Sequence, residues 1–175
     1  LIATRTALDY ADIVLTEAGF GSDLGAEKFF DIKARYGDLD VAGAVIVATI
    51  RSIKHHAGIA KEDLKAENVD ALAEGIVNLE RHVENVRKFG VTPVVALNRF
   101  VTDTEAELDF LRNWAESKGI ALADANVWAE GGAGATELAE TLLANLTEGA
   151  SHPLYDPAEG VEKSIETIAK EIYRA

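Results

Sequence analysis

Two patterns of apolar positions divide the 175 residues into predicted strands and helices. Short, nearly continuous apolar runs are typical of strands buried in a parallel sheet. Four such runs predict strands at residues 13–15, 41–50, 94–97 and 120–127. The run at 41–50 (VAGAVIVATI) is uncharged and rich in β-branched residues, so we expect a central strand that is covered on both faces. In the run at 120–127, Asp124 and Asn126 make the second half a weaker strand than the first.

Apolar side chains at every third or fourth position predict the helices. The longest is expected at 68–89, where one stripe comprises Val69, Leu72, Ile76, Leu79, Val83 and Val86. Gly75 lies inside this helix, where it is expected to lower the helix stability by an amount that the helix tolerates. Further helices are predicted at 2–10, 27–33, 104–118, 136–146 and 158–173, whereas 51–65 is predicted to be a polar loop.

The alternation of strands and helices indicates a single α/β domain, with a mainly parallel sheet and helices on both faces. Ligands of such sheets bind beyond the carboxyl ends of the strands. The loops at 16–25, 51–58, 98–104 and 126–134 are therefore expected to lie on one rim.

The first of these loops carries Gly19, Gly21 and Gly25. Their spacing, G-x-G-x-x-x-G, matches neither the dinucleotide fingerprint nor a Walker A loop, and by itself it favours a structural turn over a ligand loop. Glu17 is the nearest acidic residue and is either a phosphate- or magnesium-sensing carboxylate or a simple cap. Glu17, Gly19 and Gly21 are the candidate nucleotide-binding residues of this loop.

Arg51 and Lys54 follow the most apolar strand and are three residues apart. Such a cationic pair suits a phosphate or a carboxylate ligand, although for an isolated pair a salt bridge is the simpler interpretation. The neighbouring His55 and His56 do not predict a metal site, because adjacent side chains diverge and no third ligand accompanies them.

Asn98 and Phe100 follow the third predicted strand, and Trp128 follows the fourth. Asn98 offers both a donor and an acceptor, as the edge of a purine requires. Phe100 and Trp128 have no evident core position, and two aromatics on neighbouring rim loops could clamp a flat heterocycle. Phe110 and Trp114, by contrast, occur at helical spacing and are expected in the core.

Composition narrows the classes of partner. The net charge of −13 opposes binding to nucleic acid or to an anionic membrane, and no apolar run approaches the length of a membrane span. The absence of cysteine excludes disulfides and thiolate metal sites. Because the chain begins with Leu1 and contains no methionine, we expect it to be an internal fragment of a longer protein.

Four segments in order resemble formate–tetrahydrofolate ligase, also called formyltetrahydrofolate synthetase. They are TEAGFGSDLGAEKFFD at 16–31, VATIRSIKHHAG at 47–58, NRFVTDT at 98–104 and WAEGG at 128–132. The second departs conservatively from the family's usual V-A-T-I-R-[AT]-L-K-x-[HN]-G-G at Ser52, Ile53 and Ala57. The resemblance continues to residues 168–173 and thus covers essentially the whole chain.

The resemblance implies a P-loop NTPase-like fold and the synthesis of 10-formyltetrahydrofolate from formate, tetrahydrofolate and ATP through formyl phosphate. It implies Mg²⁺ and a monovalent cation as cofactors, small molecules as substrates, a homotetramer in the full-length family, and a cytoplasmic location. The resemblance also favours a catalytic role for Arg51 and Lys54, with formyl phosphate or a glutamate carboxylate as possible ligands. It further implies that Phe100 and Trp128 stack on the two faces of the pterin ring.

The chain itself lacks the Walker A motif, G-x-x-x-x-G-K-[ST], which family members carry before this region. We therefore expect a truncated domain, part of a larger ligase, that is inactive alone. The alternatives are a non-catalytic folded fragment, which binds folate weakly or not at all, and an unrelated P-loop-like ATPase.

Overall fold

A computed structural model describes residues 1–175 and divides them into two compact units. The first unit comprises Leu1–Ala42, Asn85–Val91 and Glu148–Ala175, and the second comprises Gly43–Glu84 and Thr92–Thr147.

The structure contains three strands, eight α-helices and five short π- or 3₁₀-helical segments. The strands are β1 (Ala44–Ala48), β2 (Pro93–Asn98) and β3 (Ala121–Ala125). The α-helices are α1 (Ile2–Leu8), α2 (Arg35–Gly37), α3 (Ile50–His56), α4 (Val69–Arg87), α5 (Glu105–Ser117), α6 (Val127–Glu130), α7 (Thr136–Ala144) and α8 (Val161–Thr167). The π-helical segments are Gly21–Ala26, Phe29–Ala34 and Ile168–Ile172, and the 3₁₀ segments are Gly131–Ala135 and Pro157–Glu159.

The second unit is built on a parallel sheet with the strand order β1-β2-β3. Ile46 is in register with Val95, and Val95 with Leu122, so these three side chains share one face. The α/β class and the parallel sheet are confirmed. The central strand is β2, however, and not the strand predicted at 41–50, which is shorter than expected and lies at the edge.

One face of the sheet packs against α3, α4 and α5. The buried cluster there comprises Ala48, Ile50, Ile53, Leu72, Ile76, Leu79, Val83, Val95, Leu97, Leu108, Leu111, Trp114, Ala115 and Ile120. The apolar stripe predicted for the long helix supplies four of its members, and Trp114 is in the core as predicted. On the opposite face, α7 packs against β2 and β3.

Val45 and Val47 lie on the α7 face of the sheet, in register with Val94 and Ala96 of β2. Both valines are exposed, whereas Val94 and Ala96 are buried. The expectation that the strand at 41–50 is covered on both faces is therefore wrong for this chain. A β-branched, uncharged run indicates a strand that can be buried, but it does not say which other elements are present to bury it.

The segment at 51–65 begins with a helix rather than with the predicted polar loop. Thr49 accepts a hydrogen bond from the Ser52 N–H at 2.9 Å, and the Thr49 N–H donates to the Ser52 hydroxyl at 3.3 Å, so the two form a capping box at the start of α3. Ile50 and Ile53 give this helix its buried side. The box has serine in place of the usual Glu or Gln at its last position, which explains why the sequence signal was missed.

Gly75 has a packing role that the sequence did not suggest. A Cβ atom at this position would overlap the carbonyl oxygen of Ile53, which lies on α3. The absence of a side chain therefore allows α3 and α4 to approach closely. The helix-propensity cost of the glycine is offset by this contact.

In the first unit, residues 13–15 do not form the predicted strand. Ile13 and Leu15 are exposed, and the segment pairs with no other strand. An apolar run of three residues is too short to identify a strand by periodicity, and a strand requires a neighbour for its backbone N–H and C=O groups. The predicted helix at 27–33 is present, but helical structure already starts at Gly21.

Two buried acids lie one turn apart in that helical segment, at Glu27 and Asp31. Asp31 Oδ1 accepts a hydrogen bond from the Leu154 N–H at 2.6 Å, and the Tyr155 hydroxyl donates to Glu27 Oε1 at 3.4 Å. Burial, followed by the charge of Asp31, raises the pKa of Glu27, and burial also raises the pKa of Asp31. The pair thus ties residues 154 and 155 to the helical segment inside the first unit.

Candidate functional site

Three of the four predicted rim loops follow strands of the sheet in the second unit. They leave from the carboxyl ends of β1, β2 and β3, where Ala48 is in register with Leu97, and Asn98 with Ala125. Parallel strands bring these ends to one edge of the sheet, which is the usual ligand position in this class of fold. We call this edge the strand-end site. It is defined by Arg51, Asn98, Phe100, Thr102 and Trp128.

Arg51 occupies the first turn of α3 and points at the turn after β2. Its guanidinium carbon lies 4.1 Å from the centroid of the Phe100 ring, which is cation–π geometry. Its Nη2 donates to the Thr102 hydroxyl at 3.0 Å, while its Nε is buried and has no hydrogen-bond partner. The Arg51 side chain thereby joins the end of β1 to the turn after β2.

The turn that carries Phe100 is closed by Asp103. The Phe100 N–H donates to Asp103 Oδ2 at 2.8 Å, and the Asp103 N–H donates to the Phe100 carbonyl at 3.0 Å. Burial raises the pKa of Asp103, although the hydrogen bond from Phe100 acts in the opposite direction. Phe100 remains partly open to solvent, with a relative exposure of 39% for the whole residue.

Lys54, the second predicted cation, lies in the core of the unit. Its Nζ donates to Glu107 Oε1 at 2.7 Å and to the Ala66 carbonyl at 2.8 Å, and both charged side chains are almost completely buried. Burial opposes ionisation of Glu107, but the hydrogen bonds from Lys54 and from the N–H groups of Asn68 and Thr104 hold its pKa below the ordinary value. This geometry favours a structural role for Lys54, and its contact with a substrate stays a prediction.

Asn98 is the last residue of β2 and is half-buried. Its neighbour Arg99 donates to Asp124 Oδ2 at 3.2 Å, and Arg112 donates to the same oxygen at 2.7 Å. Asp124 was a reason to doubt the end of β3, yet it lies inside the strand, where these two arginines neutralise it. The ion pairs fasten the end of β2 to β3 and to α5.

Trp128 lies in α6, the single turn that follows β3, and is 88% exposed. The turn is held at its base, where the Asn126 N–H donates to the Gly134 carbonyl at 3.0 Å and the Asn126 amide donates to Glu130 at 2.7 Å. An exposed indole on a fixed turn is free to cover a ligand. The predicted glycine-rich loop at 131–134 is here a 3₁₀ segment.

The candidate nucleotide residues of the first loop, Glu17, Gly19 and Gly21, belong to the first unit and are exposed. They follow irregular backbone rather than a strand. A Cβ atom at Gly25 would overlap the Gly19 carbonyl, so the close approach of these two glycines gives the spacing a structural reason. Phe20, between Gly19 and Gly21, is 96% exposed, and sequence reasoning gave it no role.

Sequence reasoning also missed Thr102, Asp103 and Glu107, each of which contacts a predicted site residue. Thr104 and Glu107 form a capping box at the start of α5, a pattern that is visible in the sequence as Thr-x-x-Glu. The sequence suggested Thr102 and Asp103 only as residues near a helix start, and it did not indicate their contacts with Arg51 and Phe100. No group of three or more His, Asp or Glu side chains that could hold a metal ion is present, and His55 instead contacts the Ile59 carbonyl at 3.0 Å. None of the helices combines the length and apolarity needed to cross a membrane.

The sheet and its strand-end site define an α/β protein with a candidate site for a flat, polar small molecule. The sequence profile of formate–tetrahydrofolate ligases matches residues 1–175. A formate–tetrahydrofolate ligase of Corynebacterium diphtheriae is 59% identical over 175 residues, which is 100% of this chain and 32% of the relative. One of Staphylococcus aureus is 53% identical over 174 residues, which is 99% of this chain and 31% of the relative.

The chain therefore belongs to the formate–tetrahydrofolate ligase family. It spans about a third of the length of the curated relatives it matches. The family match also sets aside the alternative of an unrelated ATPase.

Proposed function

We propose that this chain is the nucleotide- and folate-binding region of a ligase that makes 10-formyltetrahydrofolate from formate, tetrahydrofolate and ATP. Family membership supports the reaction, and the strand-end site supports the location. The main support for this location of the folate is the pair of aromatic residues that follow adjacent strands. Phe100 is held against Arg51, and Trp128 is exposed on its own fixed turn.

In the proposed reaction, an oxygen of formate attacks the γ-phosphorus of ATP and ADP leaves, which gives formyl phosphate. N10 of tetrahydrofolate then attacks the formyl carbon, inorganic phosphate leaves, and N10 loses its proton. The protein's contribution to both steps is mainly positioning and charge neutralisation.

Within this scheme, Phe100 and Trp128 bracket the pterin ring. Asn98, together with Glu17, Gly19 and Gly21, is assigned to the nucleotide. Arg51, predicted to be catalytic, has its guanidinium against the Phe100 ring and the Thr102 hydroxyl, beside the proposed folate site. Lys54 is placed behind it, because its ammonium is already engaged by Glu107. No three acid or histidine side chains of this chain come together as a metal site. Mg²⁺ is usually held by substrate phosphates, water and one or two carboxylates, so the proposal assigns it to the bound ATP and names no residue for it.

Family resemblance extends the proposal to a homotetramer in the cytoplasm that is assisted by a monovalent cation. Because no G-x-x-x-x-G-K-[ST] occurs in these 175 residues, we expect them to lack ligase activity by themselves. A non-catalytic fragment that binds folate is the corresponding expectation for the isolated chain.

Separate calorimetric titrations of the chain with ATP and with tetrahydrofolate test this proposal. We expect saturable binding of tetrahydrofolate that is weakened in Phe100→Leu. Phe110→Leu is the matched control, since Phe110 is a phenylalanine of the same unit that packs against the buried cluster. Equal folate affinities of the Phe100→Leu variant and the unmodified chain would place the folate elsewhere.

A further inference from the structure

We propose that Arg51 and Thr102 are positioning residues for folate, which act by fixing the Phe100 ring rather than by contacting an anion. This inference rests on the proposed function, since it takes the pterin ring as the ligand of Phe100. It assigns a site role to Thr102, which the sequence suggested only as a helix cap, and it changes the role predicted for Arg51.

The first support is the set of contacts around the ring. The Arg51 guanidinium lies 4.1 Å from the Phe100 centroid and is itself held by Thr102 at 3.0 Å. The backbone of Phe100 is separately fixed on both sides by its reciprocal hydrogen bonds with Asp103. Ring and backbone are thus both restrained within the chain itself.

The second support is the coverage of the ring. A guanidinium over one face of the Phe100 ring leaves the opposite face for a ligand, and the residue as a whole is 39% exposed. A planar guanidinium suits this arrangement better than an ammonium does, because it stacks and donates in its own plane at the same time. Arg51 does both, toward Phe100 and toward Thr102 respectively.

The consequence for binding is preorganisation. A phenylalanine on a surface turn ordinarily loses rotamer freedom when a ligand stacks on it, and that loss weakens the affinity. Here the ordering is already provided by Arg51 and Thr102. Loss of either residue should therefore weaken folate binding even though neither contacts the folate.

Calorimetric titration with tetrahydrofolate tests the inference. Thr102→Val and Arg51→Lys should each weaken binding by about three- to tenfold, the range expected for one released side chain. Thr102→Ser keeps the hydroxyl and should bind like the unmodified chain. Arg81→Lys is the matched control, since Arg81 lies on α4 in a partly exposed pair with Glu84. Melting temperatures of all variants establish that each is folded.

A double-mutant cycle separates ring positioning from a general effect of charge. If Arg51 acts through Phe100, Arg51→Lys should change the affinity less than about twofold when Phe100→Leu is already present. Independent, additive effects of the two substitutions would overturn the inference, and so would unchanged affinity in a folded Thr102→Val variant. Failure of the unmodified chain to bind tetrahydrofolate would overturn the proposed function and this inference together, whereas normal binding with insensitive variants overturns the inference alone.

Discussion

The ammonium group of Lys54 and the carboxylate of Glu107 lie 2.7 Å apart, and both side chains are almost wholly excluded from solvent. They are 53 residues apart in the sequence and join α3 to the start of α5. Glu107 also accepts from the backbone N–H groups of Asn68 and Thr104, at 3.0 and 3.2 Å. One carboxylate therefore connects the starts of two helices to the cation behind the strand-end site.

Removal of either charge from this pair should strongly destabilise the second unit. Glu107→Gln leaves the Lys54 ammonium buried without a counter-charge, and Lys54→Met does the same to the carboxylate, so each should cost about 3–5 kcal/mol. The double variant removes both charges and should cost at least about 1 kcal/mol less than the sum of the two. Urea denaturation measures all three, and strictly additive losses would contradict the coupling.

Acid should weaken the same pair. The folded-state pKa of Glu107 lies below its ordinary value of 4.5, so its contribution to stability is present above that pH and is lost as the pH falls through the folded-state pKa. The stability difference between the unmodified chain and Glu107→Gln should therefore shrink on acidification. Urea denaturation at several pH values below 5 measures this difference, and a constant difference would contradict the prediction.

Asp31 in the first unit should show the opposite pH dependence. The pKa values of Asp31 and Glu27 are raised by burial, so the stability that the pair contributes is complete at low pH and is lost as the pH rises through the folded-state pKa values. Asp31→Asn keeps the acceptor for the Leu154 N–H and removes one buried charge. It should stabilise the unit by about 1 kcal/mol at neutral pH, and the gain should vanish in acid.

Urea denaturation at about pH 7 and about pH 4 checks this gain, since the acid range is where paired carboxylates titrate. Asp12→Asn is the control, because Asp12 is an exposed acid of the same unit. A neutral-pH loss of stability in Asp31→Asn would show that the ionised carboxylate contributes more through its hydrogen bonds than its burial costs.

Gly75→Ala should destabilise the second unit, contrary to the usual effect of this change in a helix. Replacing glycine by alanine inside a helix ordinarily raises the stability by about 1 kcal/mol. Here its Cβ would overlap the Ile53 carbonyl, so α3 and α4 must separate, at a cost of about 1–3 kcal/mol. Ala73→Gly is the control, because Ala73 is at an exposed position of the same helix. Its change in stability, measured by urea denaturation, reports the difference in helix propensity between the two residues without a change in packing. A Gly75→Ala variant more stable than the unmodified chain would contradict the close approach.

The elements that the sequence predicted well are those whose signals are local. The stripe of α4, the helix predicted at 104–118, and the apolar runs of β2 and β3 each depend on neighbouring residues, and each is present in the structure. Helical spacing placed Trp114 in the core, and the position of Trp128 after a predicted strand placed it at the surface, which the structure bears out.

What could not be predicted depends on partners that are distant in the sequence. Nothing near Lys54 indicates that Glu107 will neutralise it, so a buried ion pair looked like a possible anion site. The run at 13–15 has strand-like composition but no neighbouring strand to pair with. Likewise, Gly75 is informative only once the Ile53 carbonyl is known to lie beside it.

The two tryptophans should respond to truncation in opposite ways. Trp114 is 8% exposed and belongs to the core cluster, so Trp114→Ala should cost about 3–5 kcal/mol of stability. Trp128 is 88% exposed, and Trp128→Ala should change stability by no more than about 0.5 kcal/mol. If its indole covers the pterin ring, the same change should weaken tetrahydrofolate binding by about 1–3 kcal/mol, by analogy with the stacking of bases on aromatic side chains. Thermal melts and calorimetric titrations of both variants provide the comparison, with Trp114→Phe as a milder core variant that stays folded if Trp114→Ala does not. A large drop in the melting temperature of Trp128→Ala, with an unchanged folate affinity, would place this ring in the packing of the protein and exclude it from the site.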